Sequence, residues 1–143
     1  MKRFAKVLTM MFVLLIAVSA WGQTYSSLVI DARDIKLTRS MSPKILNEMG
    51  LEIYGTILKE ADIEKVMEIG VVGYVDSLDT AKKHLSSRLG NNPFVIKAKG
   101  AIGNTASNVV ITNADAAKIL ELNKTSHFLT KFNVIILISP DNE

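Results

Sequence analysis

The chain has 143 residues, no cysteine and a formal net charge of +3. That length suits one domain, and without thiols its stability has to come from a packed core rather than from disulfides. Three of the 17 basic residues (Lys2, Arg3 and Lys6) sit at the very start, leaving 14 basic against 14 acidic residues in the remainder. The body of the chain therefore lacks the basic footprint of a nucleic-acid binder and the polybasic patch of a membrane-surface protein.

The start reads as a leader. Residues 1–6, MKRFAK, form a basic segment, and Val7 to Ala20 is an almost unbroken apolar run. The run is shorter than the roughly 20 residues that a bilayer span needs. Small residues follow, with Ala20 and Gly22 placed as in a signal-peptidase site. The expectation is a signal peptide over residues 1–22, cleaved before Gln23, and a single domain over 23–143. Cleavage after Ala20 and retention of the run as an N-terminal anchor are the alternatives. With no cysteine at the junction, the lipid-anchored route is closed. The expected location is the bacterial periplasm or the exterior, with no stable membrane insertion once the leader is removed.

The domain opens with a strand, Leu28 to Arg33, placing Leu28, Ile30 and Ala32 on one face and Val29, Asp31 and Arg33 on the other. Pro43 belongs at a strand start or an edge, since it cannot donate a ladder hydrogen bond. Lys44-Ile45-Leu46 and Leu51 to Tyr54 flank Asn47-Glu48-Met49-Gly50, which predicts a β-hairpin with Gly50 at its exit. From Glu60 the period becomes helical. Ile63, Val66 and Met67 recur on one face behind an Asp62 cap, and Gly70 ends the helix. Val71 to Val75 is a short apolar strand. Asp76-Ser77 opens a longer helix with Leu78, Ala81, Leu85 and Leu89 inward and Lys82, Lys83 and Arg88 toward water, closed by Gly90 and Pro93.

Phe94 to Lys99 alternates as a strand, and Asn108 to Thr112 is another, so the two are expected to form a second hairpin across the small-residue connection 100–107. Thr112 to Asp115 resembles a capping box, opening a helix with Ala116, Ile119 and Leu120 inward. Thr125-Ser126 then caps a short turn carrying Phe128 and Leu129. Val134 to Ile138 is a continuous apolar run, as in a central strand covered on both faces. The expected fold class is α+β, a single domain with a mixed β-sheet and two hairpins packed against two to four helices.

The inventory of chemistry is thin. His84 and His127 have no second histidine at ligand spacing, so no metal site is expected. No nucleophile elbow and no phosphate loop occurs. Gly100-Ala101-Ile102-Gly103 lies between strands, not ahead of a helix. No cofactor and no catalytic residues are expected. The most suggestive polar group is Asp31 with Arg33, two residues apart on one strand face. One reading sets them with Tyr54 and Lys97 at the rim of a shallow binding site. The other makes Asp31 and Arg33 a self-contained structural ion pair.

LVIDAR at 28–33, then MSPKIL at 41–46, Gly50 and Tyr54-Gly55, resemble a family of small secreted bacterial proteins. The landmarks Gly73-Tyr74, Asn92-Pro93, Lys97-Ala98, Asn113-Ala114-Asp115 and Phe128-Leu129 extend the resemblance over nearly the whole domain. More distantly the chain is similar to envelope domains of the lipoprotein-20 and flagellar-assembly-protein-T type. Asp34, Arg39 and Phe132 depart from the pattern, standing where a glycine, a second proline and a cysteine are common. The resemblance implies an envelope location and a non-enzymatic role in binding another envelope protein or in self-association. The alternative is a small-ligand-binding module using the Asp31/Arg33 face.

Overall fold

Strand β1 (Ser27–Asp31) is the axis of the molecule. The computed structural model of the protein describes residues 24–142, so the expected leader lies outside the described residues. Leu28, Val29 and Ile30 are all fully buried, because β1 has a partner on each edge and cover on each face. Strand β5 (Pro93–Lys97) pairs with it in parallel on one edge and β8 (Val134–Leu137) on the other, while β4 (Gly73–Val75) lies parallel to β8. The order is β4-β8-β1-β5. All four residues of β8 are buried, so the unbroken apolar run does mark a central strand. Strand β1 was expected to alternate. Its Val29 is instead as buried as Leu28 and Ile30, since helices cover the second face.

Those helices are α2 (Leu78–His84) and α3 (Ser86–Leu89). Ala81 and Leu89, with Leu78 and Leu85 beside them, pack on Val29, Ile135, Leu137 and Val75 to make the smaller of two cores. Ser77 caps α2 by accepting from the Thr80 N–H at 3.1 Å. The single long helix read from the sequence is broken at Leu85, whose φ of −124° and ψ of 32° leave the helical region. Arg88 was expected in water and is only 7 % exposed. The break turns its side chain beneath the chain at Ile69 and Gly70, whose carbonyls accept from its Nη2 at 2.7 and 3.0 Å.

The opposite face of the parallel sheet carries the larger core. Leu28, Ile30, Ile96, Val134 and Ile136 meet Ile45, Tyr54, Val109 and Ile111 from a second sheet, with Ala116, Ile119 and Phe128. This second sheet is mixed, in the order β3-β2-β7-β6. Strands β2 (Ile45–Leu46) and β3 (Glu52–Tyr54) form the expected hairpin, with Gly50 at φ +79°. The second hairpin is displaced from its expected position. Strand β5 stays in the parallel sheet, and β7 (Asn108–Val110) pairs instead with β6 (Gly100–Ile102), drawn from the small-residue connection. Ala101 needs no large side chain to pair with Val109. The fold is thus α+β, one domain with two four-stranded sheets, one parallel and one mixed.

Helix α4 (Asn113–Ser126) begins as its sequence predicts at one end of the capping box only. Thr112 Oγ1 accepts from Asp115 N–H at 3.1 Å. A second N–H of the helix start is satisfied from outside the box: Glu48, at the tip of the first hairpin, accepts from Asn113 N–H at 2.9 Å and from Lys99 Nζ at 2.7 Å. Leu120 was expected inward and is exposed, as are Ile63 and Met67 of α1 (Glu60–Ile69). Helix α1 buries none of its residues fully, Val66 alone of the predicted stripe packing partly on the core. It has no side-chain cap at Lys59, and Asp62 lies within its first turn.

The start of β1 is fastened to the end of α3. Ser26 and Ser27 hydroxyls both donate to the Leu89 carbonyl at 2.7 Å. Gly90 follows at φ +65°, and a Cβ there would lie 2.4 Å from the Ser26 Cβ. Gly90→Ala is therefore expected to destabilise the fold by about 1–3 kcal/mol, through backbone strain and overpacking together. A lowered urea midpoint with an unchanged slope is the expected measurement.

Candidate functional site

Parallel strands that end at one level collect whatever residues follow them along one edge, the usual place for ligands in open parallel sheets. Here β1 and β5 end in register, Asp31 opposite Lys97. Asp34 follows β1 closely and Asp76 follows β4. The Asp31 carboxylate is gripped by Arg33 on both oxygens, Nε to Oδ1 and Nη2 to Oδ2, each at 2.9 Å. The Arg33 backbone N–H adds a third bond to Oδ1 at 3.2 Å. Lys97 Nζ lies 3.5 Å from Asp34 Oδ2, both side chains being largely exposed. Asp76 accepts from the Thr80 hydroxyl at 2.6 Å.

The electrostatics follow these contacts. The Arg33 hydrogen bonds hold the Asp31 carboxyl below the usual carboxylate range against a smaller opposing effect of burial, with Lys97 helping at longer range. Arg33 is raised in turn, chiefly by the same hydrogen bonds. The Thr80 hydroxyl lowers Asp76. The result is a rim of alternating, mutually paired charges.

Of the four residues singled out in the sequence, the fold brings Asp31, Arg33 and Lys97 together and sends Tyr54 elsewhere. Strand β3 belongs to the mixed sheet, so Tyr54 is buried in the larger core, beside Phe132. Its hydroxyl donates to the Val71 carbonyl at 2.5 Å, and burial pushes its ionisation far up. The Tyr54 ring lines a separate cleft of about 460 Å³, with Phe132 and Leu129.

A residue that the sequence reading placed in solvent also lines a cavity. Arg88 lies on the wall of a cleft of about 570 Å³ that it shares with Lys65, Glu68, His84, Ser86 and Ser87. Its Nη1 is buried with no hydrogen-bond partner. Burial lowers its pKa, with only a weak opposing influence from Tyr54. The signal was present in the spacing: Arg88 is seven residues after Ala81, hence on the apolar face of any continued helix. Gly73 makes the room, since a Cβ there would come within 3.0 Å of Nη1 and 2.7 Å of Leu85 Cδ1. Among the described residues no group of three or more His, Asp or Glu side chains could hold a metal ion.

Two packed sheets, a large and a small core, and a charged rim at the ends of parallel strands define a small α+β domain. The chain belongs to the family of the second domain of Treponema pallidum Tp0624, whose family model matches residues 27–140. A comparison with curated proteins gives no match.

Two outcomes test the geometry. For Asp31 the folded-state pKa is the depressed one, so its contribution is fully present above about pH 5 and fades as pH falls through the folded value. Asp31→Asn is expected to cost about 0.5–1 kcal/mol at neutral pH. It is also expected to flatten the loss of stability below about pH 4, as read from urea midpoints at several pH values. Tyr54→Phe leaves the Val71 carbonyl without its donor and is expected to cost about 1 kcal/mol in the same assay.

Proposed function

We propose that this protein is an exported, non-enzymatic domain of the bacterial cell envelope that works by binding another envelope protein or a second copy of itself. The observation that carries this reading is the bidentate Asp31–Arg33 pair, continued by Lys97 and Asp34 on exposed surface at one end of the parallel sheet. A guanidinium already held on two nitrogens by its own carboxylate is poorly placed to capture a small ligand. A row of alternating charges gives a protein partner register and orientation instead. The basic and apolar start of the sequence supports export. The resemblance to lipoprotein-20 and flagellar-assembly envelope domains supports an assembly-related role. A small-ligand site on this same face is disfavoured by the internal pairing.

The test uses Lys97→Glu, an exposed change expected to alter stability by no more than about 0.5 kcal/mol, beside Asp31→Ala/Arg33→Ala. Both variants are checked for fold by circular dichroism. Wild-type protein is expected to retain an envelope protein in a pull-down, or to self-associate by sedimentation, with folded Lys97→Glu losing that association. Equal association by wild type and both folded variants would remove the rim from the function.

A further inference from the structure

We infer that the cleft between α1 and the α2–α3 corner is an oxyanion site, taking a small ligand through one phosphate or carboxylate group. It is independent of the charged rim, since neither Asp31, Arg33 nor Lys97 lines it. Its volume of about 570 Å³ falls within the range of small-molecule pockets.

The argument starts from Arg88. Its charge is 7 % exposed, and among the described residues no carboxylate pairs with it. A buried charge without a counter-charge is costly, so its presence asks for a reason. Tying down the Ile69 and Gly70 carbonyls is part of that reason. That task engages Nη2 alone and draws on the N–H donors rather than on the charge. The surplus is a positive charge on a residue that lines the cleft, with a buried Nη1 that meets no acceptor behind it.

The rest of the wall matches. Lys65, on α1, carries a second cation that makes no ion pair with the described residues; its Nζ rests 5.9 Å from the centre of the Phe132 ring. Ser86 and Ser87 stand at the corner opened by the break at Leu85, and neither side-chain hydroxyl is hydrogen-bonded within the described residues. Two cationic residues and two unengaged hydroxyls line one space, and none of them is paired with a carboxylate among the described residues. Glu68 shares the lining and sets the limit. One carboxylate against two cations leaves a single net positive charge, which matches one anionic group. The exposed ion pairs elsewhere on the molecule do not share this design, because each already contains its own counter-charge.

The test is a titration of the ¹⁵N-labelled protein with inorganic phosphate at constant ionic strength. Saturable shifts are expected at Lys65 and at residues 84–88. Lys65→Gln, on an exposed stretch of helix, is expected to weaken binding about tenfold, the usual scale for losing one charged hydrogen bond. Arg88→Gln removes the charge, and in a variant shown to be folded by circular dichroism it is expected to abolish saturation. If Arg88→Gln does not fold, Lys65→Gln and Ser86→Ala/Ser87→Ala carry the decision. Acetate in place of phosphate distinguishes the ligand types, the tighter ion naming the group. Shifts that do not saturate, that chloride reproduces, or that persist unchanged in Lys65→Gln would overturn the assignment.

Discussion

Everything in this molecule leans on a single strand that has no free side. Strand β1 is hydrogen-bonded along both edges, to β5 and β8, and covered on both faces. Burying an aliphatic side chain contributes about 1.5–3 kcal/mol, so Leu28, Val29 and Ile30 together reach the scale of a domain's whole net stability, about 5–15 kcal/mol. The two cores lie on opposite faces of this sheet. Leu28 and Ile30 belong to one and Val29 to the other, so loosening the strand loosens both.

The charges divide into two kinds with opposite energetics. Exposed pairs such as Lys97–Asp34 and Lys124–Glu121 are screened by solvent and contribute little or nothing to stability. The rim at the strand ends is therefore free to be shaped by what it meets rather than by what the fold needs. Arg88 is the reverse case. Its guanidinium is dehydrated, so its surroundings at Gly73, Ile69 and Gly70 are tightly constrained. Charge that costs little is spread over the surface, and charge that costs much is concentrated at one cleft.

The sequence made the backbone plan legible and misplaced side chains wherever a helix bent or a face was covered twice. The central position of β8 could be read because a parallel strand buried on both faces leaves a continuous apolar run. The Asn47–Gly50 hairpin could be read because its turn chemistry is local. The second hairpin could not, because Gly100 to Ile102 carries no strand signal of its own and pairs only because β7 is already fixed beside β2. Ile63 and Met67 have helical spacing without burial, since α1 docks chiefly through Val66. At the candidate sites, the Asp31–Arg33 pair was legible because both residues leave one short segment. Tyr54 was misassigned because sheet membership is a long-range property. Arg88 was missed because a cation was assumed to seek water despite its place on the apolar stripe.

Strand β8 is the last of the described strands in chain order, yet it lies between β4 and β1, which do not pair with each other. A chain still emerging from the ribosome thus carries two strands separated by an unfilled slot. Neither core can close in the meantime, because Val134 and Ile136 complete one and Ile135 and Leu137 the other. Such an order of assembly makes the late contacts long-range and the early chain slow to settle. Until residue 137 is available the domain presents bare apolar strand edges to its surroundings, and its folding waits for its last strand.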